Sequence, residues 1–209
     1  MGTPGRKALS RELIAETALR LTDEEGLNGL SMRKLGAELG VEAMSLYHYV
    51  DSKEDLLAAV RDGLYDKIDL PVDAEVTDWE AALRHGLSAL RDVLLGHSAA
   101  LELFLTLPTR SQTSLEVLSW AHTVFASQGL THFEATAALR YSLSFVIGHA
   151  ANELGTATFA DEEGNVDLSD IANPEHRELV SQLMNHDEVF VAGLDLVAAG
   201  LRATYPKLP

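Results

Sequence analysis

Residues 31–53, SMRKLGAELGVEAMSLYHYVDSK, leave the backbone few choices. Ser31 is a good N-cap for a helix that stops at Gly40, and Asp51 and Ser52 open another. Leu35, Leu39, Val41, Leu46 and Val50 are apolar positions that can close a small shared core. Between them, the short segment from Ala43 to Tyr49 presents Ser45, Tyr47, His48 and Tyr49, a polar and aromatic surface of major-groove size. This is the layout of a helix-turn-helix, in which the second helix enters the DNA major groove.

The rest of the chain reads as helical too, so the expected class is all-α. The head is a helix-turn-helix three-helix unit over residues 1–70, with a linking helix from about residue 52, and the body over 71–209 is larger. From Ser10 to Glu25, Leu13, Thr17 and Leu21 form one stripe with Ile14 and Ala18 beside it. Gly26 stops that helix. Asp51 with Glu54 has the spacing of a capping box, and the fourth helix runs to about Ile68 before Pro71. In the body, helices are expected from Trp79 to Gly96, through Leu105 to Pro108, over 112–128, over 133–154, from Pro174 to Met184 and over 187–204. Residues 155–174, GTATFADEEGNVDLSDIANP, read as a polar, acidic loop.

Charge limits how such a head can hold DNA. The chain has a net charge of −16, but residues 1–70 contribute −4 and residues 71–209 contribute −12. The acid lies mostly away from the head, yet the head is not basic, so generic attraction to phosphate is weak. Binding then needs well-placed contacts and two heads. The chain has no cysteine, which removes disulfides, thiol catalysis and cysteine-based zinc sites. No run of about 18 apolar residues is present. The N-terminal MGTPGRKALSREL has no apolar signal region. A cytoplasmic protein with no membrane partner is expected.

The stretches LSRELIAETALRLTDEEG and GLSMRKLGAELGVEAMSLYHYVDSKEDLLAAV resemble the tetracycline repressor (TetR) family. The order is that of the family: a long first helix, the Gly-Leu-Ser-Met-Arg-Lys-Leu entry, the Leu-Gly-Val turn, Leu-Tyr-x-Tyr-Val, then Ser-Lys-Glu-Asp-Leu-Leu. The resemblance implies that the second helix and the short recognition helix read double-stranded operator DNA. Arg33 matches a position that reaches a base edge, where arginine can fork onto guanine. Ser31 can meet a phosphate at the helix N-terminus. Ala43 and Met44 can pack on thymine methyls, and Ser45 can donate or accept. Tyr47 and Tyr49 can stack along sugars or bond phosphate. His48 can do either, or be partly core. Lys53 matches a phosphate contact, and Arg6 and Lys7 form a short basic arm. Met44 can instead pack between helices, and Arg33 can pair with Glu38. Ala43-Met44-Ser45 stands where the family often has Gln-Pro-Thr, so the tetracycline operator is not expected.

The body, in DWEAALRHGLSALRDVLLGH and SQGLTHFEATAALRYSLSFVIGHAANE, resembles the tetracycline-repressor-like C-terminal domain. The drug-contacting Asn and Phe of that domain fall at Gly86 and Leu90, and no His stands near Phe104 and Leu105 where its metal-binding His falls. Neither tetracycline nor magnesium is therefore expected, and no cofactor. Trp79, Leu83, Leu87, Leu90, Leu103, Phe104, Trp120, Phe125, Tyr141 and Phe145 can line a pocket for an unknown small-molecule inducer, or serve as ordinary core. His149 and Glu153, at i and i+4, can hold a metal, but one such pair does not make a site. Arg140, inside an apolar helix, can pair an acid across the core or meet an anionic ligand. Helices 133–154 and 187–204 are apolar around more than one stripe and carry small residues, so one face needs a partner. The resemblance implies a homodimer through these two helices.

The expected function is a ligand-released homodimeric repressor at a palindromic operator. The alternative is a small-molecule-binding or protein-interaction dimer that does not bind an operator. No HExxH, GxSxG or phosphate-cradling loop argues for an enzyme.

Overall fold

The computed structural model describes residues 8–70, 76–98, 101–106, 111–161 and 165–209, and ten α-helices lie among them. They are Arg11–Glu25 (α1), Met32–Leu39 (α2), Ala43–Leu46 (α3), Lys53–Tyr65 (α4), Trp79–Gly96 (α5), Leu101–Thr106 (α6), Gln112–Ala126 (α7), His132–Ala157 (α8), Pro174–Leu183 (α9) and His186–Thr204 (α10). A 3-10 turn covers Leu27–Gly29. The all-α expectation holds: among the described residues the extended pairing is one isolated antiparallel bridge, Ala160 with Val166, inside the acidic loop. Among the described residues, no helix is long and apolar enough to cross a membrane. Arg6, Lys7, Pro71 and Pro108 lie outside the described residues.

The chain forms two compact units, Met1–Ile68 with Gly96–Leu115, and Asp69–Leu95 with Glu116–Pro209. In the first, Ser10 caps α1 by accepting from the Leu13 amide, and Gly26 ends the helix at φ 75°. The buried stripe of α1 is Ile14, Ala18 and Leu21, widened by Ala15, Leu19 and Thr22. Leu13 and Thr17, expected at its centre, are half-buried at its edge. Thr17 spends its hydroxyl on the Leu13 carbonyl, which suits a helix flank. Leu30, Leu35, Leu46, Val50, Leu56, Val60 and Leu64 complete the core, each at most 1% exposed. Residues 96–115 join this unit through Phe104 against Tyr65 (ring centroids 5.3 Å apart), His97 on Asp23 (2.8 Å) and the Ser111 hydroxyl on Asp62 (2.6 Å).

In the second unit, Trp79, Leu83, Leu87, Leu90 and Leu94 are one buried stripe of α5. A capping box starts α8: Glu134 donates its amide to the Thr131 hydroxyl, and its carboxylate accepts from the Thr131 amide. Helices α8 and α10 each carry two apolar faces, as their composition predicts. On α10, Phe190, Leu194, Ala198 and Leu201 are buried, while Val189, Ala192, Leu196, Ala199 and Ala203 lie exposed at spacings of three and four. On α8, Ala135, Ala138, Val146 and Ala150 are buried, while Phe133, Tyr141, Gly148 and Ala151 are exposed. Gly193 lets the two helices approach. A Cβ there meets the Phe145 ring at 2.4 Å, and that ring stacks on Phe190 with centroids 5.6 Å apart. Arg140 is exposed, so the expectation of a core ion pair is corrected: it lies on the outward flank of α8.

Candidate nucleic-acid interface

Gly36 sets the geometry of the helix-turn-helix. It is buried on α2, and a Cβ placed on it comes within 2.8 Å of the Val41 carbonyl and 3.1 Å of the Ala43 amide. Only hydrogen fits, so the turn closes directly on α2. The Val41 amide then donates to the Gly36 carbonyl at 2.8 Å. Gly40 makes the reversal at φ 64°, ψ 38°, the left-handed conformation glycine adopts most readily. Ser31 caps α2 as expected, accepting from the Lys34 amide.

The recognition segment is shorter than its sequence implies. Regular α-helix ends at Leu46, and residues 47–49 tighten into turns. Tyr47, His48 and Tyr49 donate three residues back, to Met44, Ser45 and Leu46, as short helix ends commonly do. Leu46 and Val50 are buried, as expected. Outward stand Met44, 74% exposed, with Tyr47, His48 and Tyr49; Ala43 and Ser45 are half-buried. Met44 therefore does not pack between helices, and His48 is not core. Arg33 and Lys53 are exposed, on the first turn of α2 and at the start of α4. Arg33 forms no ion pair among the described residues, because Glu38 pairs with Arg20 instead.

A clamp beneath this surface pairs residues that no local spacing links. Arg11 makes two bonds to Asp55, at 2.8 and 2.6 Å, and donates to the Tyr49 carbonyl at 2.9 Å. Asp55 also accepts the Asp51 amide at 2.9 Å. One guanidinium thus ties α1 to the loop between α3 and α4 and to the first turn of α4. The cap of α4 is accordingly Ser52, accepting from the Asp55 amide, and not the expected Asp51–Glu54 box. A cation in the first turn of α1 opposes the helix dipole. That local conflict is the signal in the sequence that Arg11 has a partner elsewhere.

The Arg11 hydrogen bonds hold the Asp55 carboxyl below its ordinary range, with the Asp51 amide adding to the effect against burial. A carboxylate depressed in the fold contributes stability that is present above its unfolded pKa and lost as pH falls through its folded one. Stability should therefore drop below the ordinary carboxylate range, about pH 4. In acid titrations followed by circular dichroism, Asp55→Asn should start less stable at neutral pH and lose less on acidification. Equal acid slopes in both proteins would show that the clamp contributes nothing.

In the second unit, Trp79, Leu83, Leu87, Leu90, Trp120 and Phe125 are buried, with Phe125 against Trp79. Three pocket candidates are placed elsewhere. Tyr141 is 74% exposed on the outer face of α8, and Phe104, with Leu103, belongs to the first unit. Helical spacing gives apolar faces but not which core each face joins. Phe145 is half-buried against Phe190. The Trp120 indole N–H is buried without an acceptor among the described residues, and the ring lies against Gly86.

Arg91 links three helices of this unit, an arrangement no local pattern reveals. It donates to Glu153 of α8 at 2.9 and 2.7 Å and to Asp187 of α10 at 2.7 Å, and lies 4.8 Å over the Phe190 ring. Burial works against its charge, but these carboxylates outweigh burial and raise its pKa. Desolvation lowers His149, partly offset by Glu153.

Residues 14–60 match the family described as bacterial regulatory proteins, tetR family, and residues 70–205 match the tetracyclin repressor-like C-terminal domain. An HTH-type transcriptional repressor of Streptomyces coeruleorubidus is 30% identical over 71% of this chain; the chain spans 55% of that protein's length. The class C tetracycline repressor of Escherichia coli is 27% identical over 92% of this chain and 90% of its own. A solved structure of a possible TetR family transcriptional regulator from Streptomyces coelicolor is 27% identical and superposes with a TM-score of 0.77, covering 93% of this chain and all of the other. Two family matches thus cover the helix-turn-helix and the helical body alike, and the chain belongs to the TetR family of bacterial regulatory proteins.

Proposed function

We propose that the protein is a cytoplasmic, homodimeric transcriptional repressor that binds a palindromic operator and is released by a small molecule held in the C-terminal unit. The observation that carries this is the surface over α2 and α3: exposed Arg33, Met44, Tyr47, His48 and Tyr49 on a segment braced by the Gly36 contact and the Arg11 clamp. Side chains on rigid elements hold the register that base reading needs. Arg33 is the base reader in this proposal. Ala43, Met44 and Ser45 face base edges, while Ser31, Tyr47, His48, Tyr49 and Lys53 hold the backbone. The exposed stripes of α8 and α10 meet their counterparts in a second copy. Two heads then reach successive major grooves about 34–36 Å apart. The Trp120 indole, buried with no acceptor among the described residues, supports the ligand half, since an oxygen of an inducer can satisfy it. No catalytic role is proposed; the Streptomyces coeruleorubidus relative is a repressor.

An operator is obtained by selection, and binding is measured at physiological salt. Arg33→Ala should lose about 1–3 kcal/mol, roughly five- to 150-fold, and relax selectivity at one base position. Its circular dichroism should be unchanged, since Arg33 is exposed. Unaltered affinity and selectivity would remove Arg33 from the reading surface. The head's net negative charge also predicts weak binding to unrelated DNA.

A further inference from the structure

Three metal-ligating side chains converge between α8 and α10. His149 and Glu153 lie one turn apart on α8, and His186 opens α10; their ligand atoms all lie within 4.8 Å of one another. The His149 Nε2 is 3.7 Å from a Glu153 carboxylate oxygen, and the two imidazoles meet edge to face with centroids 5.9 Å apart. Both Nε2 atoms are buried, and neither has a hydrogen-bond partner among the described residues. Leaving a buried polar atom in that state is unfavourable, because it gives up its hydrogen bond to water and gains none in return. Two such atoms beside one carboxylate suit a group that accepts nitrogen lone pairs.

We propose that His149, Glu153 and His186 form a binding site for a divalent transition metal of the zinc class, joining α8 to α10. Two histidines and one glutamate are a known type of zinc ligand set, which leaves a fourth position for water or a ligand. Metal–nitrogen bonds of about 2.0–2.1 Å put tetrahedral ligand atoms about 3.3 Å apart, so the side chains draw in by about 1 Å around the ion. The surrounding charge permits it. The charged groups facing the cluster are Arg91 from α5, Glu153 from α8 and Asp187 from α10, two carboxylates to one guanidinium. Arg91 does not displace the metal. It fixes the Glu153 carboxylate, as outer partners of metal ligands do, and each oxygen keeps a further lone pair. Phe145 and Phe190 wall the cluster, each with its ring within 6.0 Å of the His149 ring. The i,i+4 pair is visible in the sequence; the third ligand comes only from the packing of α10 on α8.

The site is independent of operator binding, and its test needs no DNA. The untagged full chain is stripped with chelator and titrated with zinc by calorimetry, then with cobalt to read the absorption of a tetrahedral nitrogen–oxygen site. One equivalent should bind with micromolar or tighter affinity and raise the thermal midpoint. His186→Ala and Glu153→Gln should each weaken zinc at least tenfold, and His122→Ala, whose ring lies 4.7 Å from that of His132 away from this cluster, should not. His186→Gln serves if His186→Ala does not fold, with folding checked by circular dichroism. No zinc binding by the folded wild-type chain would overturn the proposal. So would binding that survives both ligand substitutions, or that is lost with His122→Ala.

Discussion

Gly36→Val should abolish operator binding and destabilise the N-terminal unit by about 2–4 kcal/mol, the sum of overpacking and one lost backbone hydrogen bond. The added atoms meet backbone, the Val41 carbonyl at 2.8 Å and the Ala43 amide at 3.1 Å, so no side-chain rotation relieves the clash. The turn must lift from α2 and carry the recognition segment with it. Gly36→Ala should show a milder version of the same defect. Gly63, on α4, has no described atom outside its own helix backbone within 4 Å of where a Cβ would stand, so Gly63→Ala should stabilise by about 0.5–1 kcal/mol. Denaturant melts of the three variants check the contrast. A Gly36→Val head as stable as wild type would mean that the turn does not rest on α2.

Leu196→Glu should convert the proposed dimer to monomer and thereby lose operator binding. Leu196 is 74% exposed at the middle of the outer stripe of α10. In a two-fold interface each substitution occurs twice. Losing the burial of a leucine removes about 1.5–3 kcal/mol per copy, and burying a carboxylate adds to that. Two copies together weaken dimerisation by more than about a thousand-fold, at about 1.4 kcal/mol per tenfold. Sedimentation at micromolar concentration should show the shift, and the isolated fold should survive because the position is solvent-facing in one chain. A dimer that persists would move the interface off the α8–α10 face. Tyr141→Glu, on the outer face of α8, provides the second probe.

Local rules make much of the architecture readable. Ser31 caps the helix that follows it and Gly26 and Gly40 end two, as their residue types predict, whereas α4 is capped by Ser52 and not by the expected Asp51–Glu54 box. The double apolar faces of α8 and α10 are readable as well, because a helix apolar on two sides announces two partners. What fails depends on distance. The expected stripe of α1 is displaced by one position because Leu13 and Thr17 have the same spacing as the true core residues. The affiliation of α6 is not legible: LELFLT offers apolar residues that fit any core, and Phe104 joins Tyr65 by tertiary packing alone. Tyr141 looks like pocket lining in sequence because periodicity gives faces without saying what covers them. Arg11–Asp55 and Arg91–Glu153–Asp187 span separations in sequence that no local pattern encodes. At the reading surface the sequence reveals which side chains are outward, whereas the bracing beneath them, from Gly36 and Arg11, emerges only when the helices pack.

The central claim is that this dimer reads a defined sequence through α2 and α3. Selection from a random duplex pool at physiological salt tests it most directly, using the wild-type chain beside Arg33→Ala and Leu196→Glu. The account predicts that wild type enriches one palindrome with half-sites spaced for two heads, that Arg33→Ala enriches a degenerate form of it, and that Leu196→Glu enriches nothing. A folded wild-type dimer that enriches no sequence would contradict the claim and leave a ligand-binding or interaction module in its place.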